Sequence, residues 1–393
     1  MRSGELELAC EPTIWKGRPA YLLANELVTL MHLTGGGHIV DFRFRGRGQS
    51  NPFWIPMWKT IEPWEFEPGK HSRTYGAPPV GRVLSGLAGH SLCLDLFGMP
   101  SEEEAARGGT LHGEAGVRKW KGSATRRRSQ AELHFSVSLP KSQLLFSRSL
   151  SLRRGESVVY IRETVKNKRP AEHVFQWQQH AAFGPPFLSN RCTVALPGVR
   201  GKTFPPGYEG YELLQSNREF EWPFAPRFDR GLVDLRRVLS MPGRGFVAGV
   251  QIAADHPAAF VCISNPLARL AIGYCFRRED FPWVALWEEN RARKSSPWKR
   301  RERVRGLEFG SSPLPMSRDQ NLRLGELFGS PTLTRLPENG EKTVGYLLFI
   351  AKLPAKGGEV ADIRLGDKSI ELIGAAKKTL CSLPAASLSE YLC

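Results

Sequence analysis

Three stretches, far apart in the chain, carry the side chains that proton-transfer chemistry needs. The first, GGTLHGEAG at 108–116, sets His112 and Glu114 among small residues that let a ligand come close to the backbone. The second, QWQQHAAFGPPF at 176–187, alternates like a strand. Phe175 and Trp177 fall on one side and Gln176, Gln178 and His180 on the other, until Gly184, Pro185 and Pro186 end it. The third, PWVALWEEN at 282–290 followed by RGLEFG at 305–310, gathers Trp287, Glu288, Glu289 and Asn290. It then sets Glu308 between Leu307 and Phe309, so that its carboxylate projects to the side opposite both. A carboxylate desolvated in a pocket is pushed up towards the range of a useful general base, and a nearby imidazole supplies the complementary acid. Each stretch also has an ordinary structural reading: a glycine-rich turn, a half-buried histidine, a solvent-facing glutamate.

Other chemistries find little support in the spacing. His112-Gly-Glu114 matches the H-x-E start of zinc deaminases, but no P-C-x-x-C follows it. There is no HExxH or paired-histidine spacing, no G-x-S-x-G elbow, no Walker loop and no GxGxxG. No metal and no cofactor are expected.

The elements that must position these residues are strands. Segments 26–32 and 38–44 flank Gly35-Gly36-Gly37 as strand, turn and strand. Segments 132–139, 144–152, 157–166 and 171–180 follow one another across short turns and read as a four-stranded meander. Further strands are expected at 246–253, 258–264, 269–275, 282–288, 304–309 and 343–352. Helix is scarce: a Ser-capped turn at 101–107 with an acidic start, and another at 317–327. The Gly-Pro-rich stretch 197–210 reads as a long loop, and the last forty residues as an edge hairpin or tail. Many strands with no βαβ rhythm predict an all-β fold of large antiparallel sheets, in one domain over 1–393.

Composition narrows the class. The chain has 393 residues, 41% of them apolar, which is enough for a sizeable core. Lys and Arg number 55 against 39 Asp and Glu, a net charge of +16, which permits binding to nucleic acid or other anions. The basic residues are scattered, however. The densest runs, Arg126-Arg127-Arg128 and Lys299-Arg300-Arg301-Glu302-Arg303, read as solvated loops, so no nucleic acid partner is expected. Seven cysteines with irregular spacing and no CxxC suggest reduced thiols. With no signal-like start and no apolar run of ~20 residues, a cytoplasmic protein without membrane association is expected, as a monomer or homodimer.

At these residues the sequence resembles the aldose 1-epimerases (galactose mutarotases). LHGEAG is similar to their L-H-G segment, the strand ending QQHAAFGPPF to the strand that delivers their second histidine, and RGLEFG to their catalytic-glutamate strand. The order matches, and ELVTLMHLTGGGHIVDFRF resembles the family's opening, so the likeness runs over about residues 20–352. It implies a β-supersandwich whose open concave sheet binds a monosaccharide. Carried over, Glu308 is the general base on the anomeric hydroxyl, His180 the general acid on the ring oxygen, and His112 a hydrogen-bonding neighbour of that oxygen. The family's arginine and sugar-binding aspartate have only candidates here, Arg43, Arg45, Arg47, Asp229 and Asp234. From residue type we expect Glu114, Gln178, Trp287, Glu289 and Arg305 at the sugar. The excess of arginine fits a phosphorylated or uronic-acid sugar. The alternative is a carbohydrate-binding protein of the same fold without turnover.

Overall fold

A computed structural model describes residues 8–355 and 358–392; Cys393 and the first seven residues, both part of the sequence reading, lie outside them. Two antiparallel sheets dominate, one of twelve strands and one of eight. The expected strands form, among them Val28–Leu33 and Ile39–Phe44 either side of the glycine turn. Gly37, at φ 65°, leaves room there for the Trp120 ring, which a Cβ would meet at 2.4 Å.

The expected meander holds for three strands only. Gln130–Leu139, Leu144–Arg153 and Val158–Asn167 are neighbours in the eight-stranded sheet. The fourth, His173–Phe183, crosses to the twelve-stranded sheet and pairs with His90–Asp95 on one side and Arg303–Gly310 on the other. The reason is burial. Every residue of this strand except Val174 is buried, so it needs a layer on each face, which a central position in the larger sheet supplies. Its odd face looks across the sandwich. Trp177 Nε1 and Gln179 Nε2 donate to Glu163 Oε2 at 3.1 and 2.6 Å, and Glu163 in turn pairs with Arg148 at 2.7 Å. Arg148 also donates to the Gly37 carbonyl, and Tyr346 donates to Glu163. A fully buried ion pair that bonds groups of both sheets in this way fixes how the sheets dock, with Arg148 Nη2 alone of the guanidinium nitrogens left without a partner.

Half of the eight-stranded sheet, the strands around 158–161, 259–276 and 346–351, is buried on both faces. Val159, Ile161, Val261, Tyr346 and Leu348 face the main core, while Val158, Tyr160, Phe260, Leu347 and Phe349 face a second cluster. What covers that second face is the C-terminal segment. It is neither edge hairpin nor tail. Val360–Leu365, Ser369–Gly374 and Thr379–Pro384 make a separate three-stranded sheet whose Val360, Ile363, Ile370 and Leu372 pack on the outer face. Each such side chain, withdrawn from water, contributes about 1.5–3 kcal/mol.

Three further segments depart from the sequence reading. The stretch expected as a long loop opens with a strand, Gly198–Thr203, paired with Arg244–Ile252 and Glu219–Glu221. Two unexpected helices, Pro68–Tyr75 and Val80–Gly86, follow the opening strands. The two expected helices form, at Glu102–Ala106 and Arg318–Leu324, and each opens on a capping box, at Ser101 and Ser317. No helix among the described residues is long and apolar enough to cross a membrane. Cys10, Cys93, Cys192, Cys262, Cys275 and Cys381 are all free thiols.

Candidate active site

Strand register brings the first pair together. His180 and Glu308 lie directly opposite each other on antiparallel neighbours, so both side chains leave the sheet on the same face. His180 Nε2 stands 3.3 Å from Glu308 Oε1. Alternation on the next strand, Trp283–Asn290, puts Trp287 on that face as well, with its ring 5.6 Å from the His180 ring. Gly306 separates the two. A Cβ there would lie 2.5 Å from Glu308 Oε1 and 3.1 Å from the Trp287 Cβ, so only glycine leaves the carboxylate its seat.

His112 arrives from a loop. It holds φ 62°, uncommon for a residue with a side chain, and its ring centroid is 4.9 Å from that of His180. Its Nδ1 lies 2.7 Å from the Phe97 carbonyl, an acceptor, so Nδ1 carries the proton and Nε2 is the acceptor nitrogen of the neutral ring.

The three side chains line one cavity of about 310 Å³, at the small end of the ~300–1,000 Å³ usual for small-molecule sites. The face is partly roofed, where the resemblance implied an open sheet. The two unexpected helices supply Tyr75, Val80 and Leu84; the 204–211 loop supplies Phe204, Tyr208 and Tyr211; the 293–298 loop supplies Arg293 and Trp298. An apolar cluster separate from the sandwich core joins the sheet to this roof, with Ala182, Val247 and Trp287 from the strands and Leu84, Phe204 and Trp298 from above. That apolar patch on the sheet face is what demands a roof. Pro68 at the first helical position and the Gly-Pro punctuation around it were signals for these helices.

Burial sets the electrostatics. Desolvation pushes the Glu308 carboxyl well above the usual carboxylate range, against the attraction of Arg293. Desolvation pushes His180 well below the usual imidazole range, helped by its neighbour His112. His112 is lowered to about 4 by burial, opposed by its bond to Phe97. With one group raised and the other lowered, the Glu308–His180 pair holds a single proton over a broad middle range of pH.

Four residues expected at the sugar are engaged elsewhere. Arg305 lies on the Leu307 and Phe309 side of its strand, by the same alternation that exposes Glu308 to the cavity; it is fully buried and bonds Glu288 at 2.6 Å. Gln178 is on the correct face, yet its carboxamide clamps two backbones, donating to the Glu308 carbonyl at 2.8 Å and accepting from Ser312 N at 3.2 Å. Glu114 bonds Arg118 and the backbone of Lys141 and Ser142. Glu289 accepts from the backbone of Ala292 and Arg293 and pairs with the Arg293 guanidinium at 3.4 Å, so it shapes the loop that carries Arg293. Of the candidate charges, Asp229 pairs with Arg227, Asp234 with Arg236 and Arg43 with Asp41, and none of the five lines the cavity. Sequence reasoning left out Arg293, the cation that does line it, although it lies three residues after the W-E-E-N run. Among the described residues no three of His, Cys, Asp and Glu converge as a metal would need.

No protein-family profile and no curated protein matches the sequence. Solved structures do match the fold. A candidate aldose 1-epimerase from Klebsiella pneumoniae is 16% identical at TM-score 0.59, over 85% of this chain and 79% of that one. A galactose mutarotase-like protein from Clostridium acetobutylicum is 13% identical at TM-score 0.57, over 88% and 99%. This chain has the galactose mutarotase-like fold. A candidate aldose 1-epimerase from Escherichia coli, 14% identical at TM-score 0.54 over 85% and 99%, gives the same answer. Identities this low establish the mutarotase-like architecture and leave the chemistry to the site itself.

Proposed function

We propose that the protein interconverts the anomers of a sugar by general acid–base catalysis, with Glu308 as base, His180 as acid and His112 and Trp287 as substrate contacts. The observation that carries this reading is the 3.3 Å approach of His180 Nε2 to Glu308 Oε1 in a small, roofed cavity on a mutarotase-like sheet.

Anomer exchange needs one proton taken from the anomeric hydroxyl and one delivered to the adjacent ring oxygen. The neutral pair, Glu308–COOH beside uncharged His180, contains the same number of protons as Glu308 carboxylate beside His180 imidazolium. A bound sugar whose hydroxyl donates to the carboxylate and whose ring oxygen accepts from Nε2 favours the second form. Glu308 then takes the hydroxyl proton and His180 gives its own to the ring oxygen. The C1–O bond of the ring breaks, the carbonyl rotates, and closure on its other face with both transfers reversed gives the other anomer. No net proton enters or leaves. The His112 Nε2 is an acceptor for a neighbouring hydroxyl.

Binding without turnover is favoured by one feature: burial raises Glu308 and lowers His180, which favours the neutral form of both, and a neutral Glu308 is no base. Proton NMR exchange spectroscopy on a panel of free aldoses separates the two readings. Exchange above the spontaneous rate, lost in Glu308→Gln and His180→Ala, is the expected result. Saturable binding with no acceleration would leave a carbohydrate-binding protein.

A further inference from the structure

The composition of the cavity bears on which sugar it takes. Apart from the cluster of His112, His180 and Glu308, its wall is mostly apolar, with Leu84, Leu87, Phe204, Val247 and Trp298 among the lining side chains. At its rim, Met99 and Tyr208 are 38% and 37% exposed and add apolar surface beside the exposed Glu209 and Ser295, which are bonded to each other.

The charges are equally informative. Arg293 is the one arginine or lysine among the lining residues, and it is already committed. Its guanidinium pairs with the buried Glu289 at 3.4 Å, donates to the Tyr211 hydroxyl, and lies over the Trp298 ring at 4.3 Å and the Tyr211 ring at 5.0 Å. Two carboxyl groups, Glu209 and Glu308, share the lining with it. Glu209 is itself bonded to Ser295 and the Lys294 backbone. A phosphate or carboxylate on the ligand would lose its water and meet two acids and one neutralised base.

We infer that the ligand is an uncharged sugar bearing an apolar substituent, such as a deoxy or O-acyl group, with its anomeric centre at His180 and Glu308 and its apolar group against the Leu84–Phe204–Tyr208 wall. This replaces the phosphorylated or uronic-acid sugar that the arginine excess suggested. It rests on the anomer-exchange reading for the position of the anomeric centre, but not for the chemistry of the substituent.

Titration calorimetry with the full chain tests it, using a hexose, its 6-deoxy and 6-O-butanoyl derivatives with the anomeric hydroxyl free, and its 6-phosphate and uronate. Affinity is expected to rise about four-fold per methylene buried, hence at least about ten-fold for the butanoyl ester, and to fall below the parent for both anions. Met99→Gln and Tyr208→Ser, both at the rim and tolerable to the fold, should draw the ester-to-parent ratio towards one. A phosphate or uronate that binds more tightly than the parent overturns the inference, and if the protein accelerates exchange of that anion the reaction survives while the substrate class falls. The expected order of affinities without any acceleration supports the substrate class and removes the turnover. No binding by any member of the panel overturns both.

Discussion

His180 and Glu308 sit on neighbouring strands at directly opposed positions, and the register that pairs them also brings Nε2 to 3.3 Å from Oε1. Sheet geometry therefore fixes the acid–base separation, with no loop involved. In Glu308→Gln the shape of the cavity is kept and the base is lost. Exchange should fall by at least about a hundred-fold, while sugar affinity changes by no more than a few-fold. Full activity in this variant, measured by exchange NMR, would remove Glu308 from the chemistry.

The pair should impose a bell-shaped pH profile. As pH falls, a second proton adds to the pair and the base is lost; the depressed His180 delays this to low pH. As pH rises, the single proton leaves and the acid is lost; the raised Glu308 delays this to high pH. The plateau of kcat/KM should thus be broader than unperturbed Glu and His would give. His180→Ala should remove the alkaline limb of this profile and leave, in any residual activity, a single rise with pH as the raised Glu308 loses its proton. A wild-type profile that rises and levels with a single transition would mean that only one group acts.

Gly306→Ala tests the seat of the carboxylate. The added Cβ would crowd Glu308 Oε1 at 2.5 Å and Trp287 at 3.1 Å. Stability should drop by about 1–3 kcal/mol, and exchange should fall more than affinity, because a displaced carboxylate misses the hydroxyl proton. Denaturant melts and exchange rates on the same sample would separate the two effects.

Glu114 and Gln178 bond backbone groups rather than face the cavity. Glu114→Ala and Gln178→Ala should each cost about 1–3 kcal/mol of stability and leave the KM of the folded fraction unchanged. A several-fold rise in KM for Gln178→Ala, with no stability loss, would return that residue to the ligand.

Acid should unfold the protein through its buried histidines. Burial lowers His38 and His90 to about 3 and His112 to about 4. In the unfolded chain they titrate near the ordinary ~6.5. Between these values the unfolded state binds protons that the folded state refuses, so stability is lost as pH falls from about 6.5 towards 3–4. Urea midpoints should decline steadily over that interval, and a flat midpoint from pH 7 to 5 would contradict the buried, neutral state of these rings.

The period of two, read along single strands, already determined much of this protein. It set His180 opposite Trp177, put Glu308 opposite Leu307 and Phe309, and gave most of the strands, since alternation is a local property of the chain. It even contained the exclusion of Arg305, which shares a face with Leu307. Capping boxes at Ser101 and Ser317 were equally local. Only the tertiary structure decided which strands are neighbours. It sent His173–Phe183 away from its meander to lie beside Arg303–Gly310, because a strand buried on both faces needs a layer on each, and nothing in its own sequence says where the second one is. The same holds for the amides and carboxylates. Gln178, Glu114 and Glu289 have the right residue types for a sugar, but their partners are backbone groups brought to them by folding. Pro68 marks where the first roofing helix starts, but the packing of helices and loops over the cavity, and with it the apolar wall and the position of Arg293, rests on long-range contacts that no local pattern encodes.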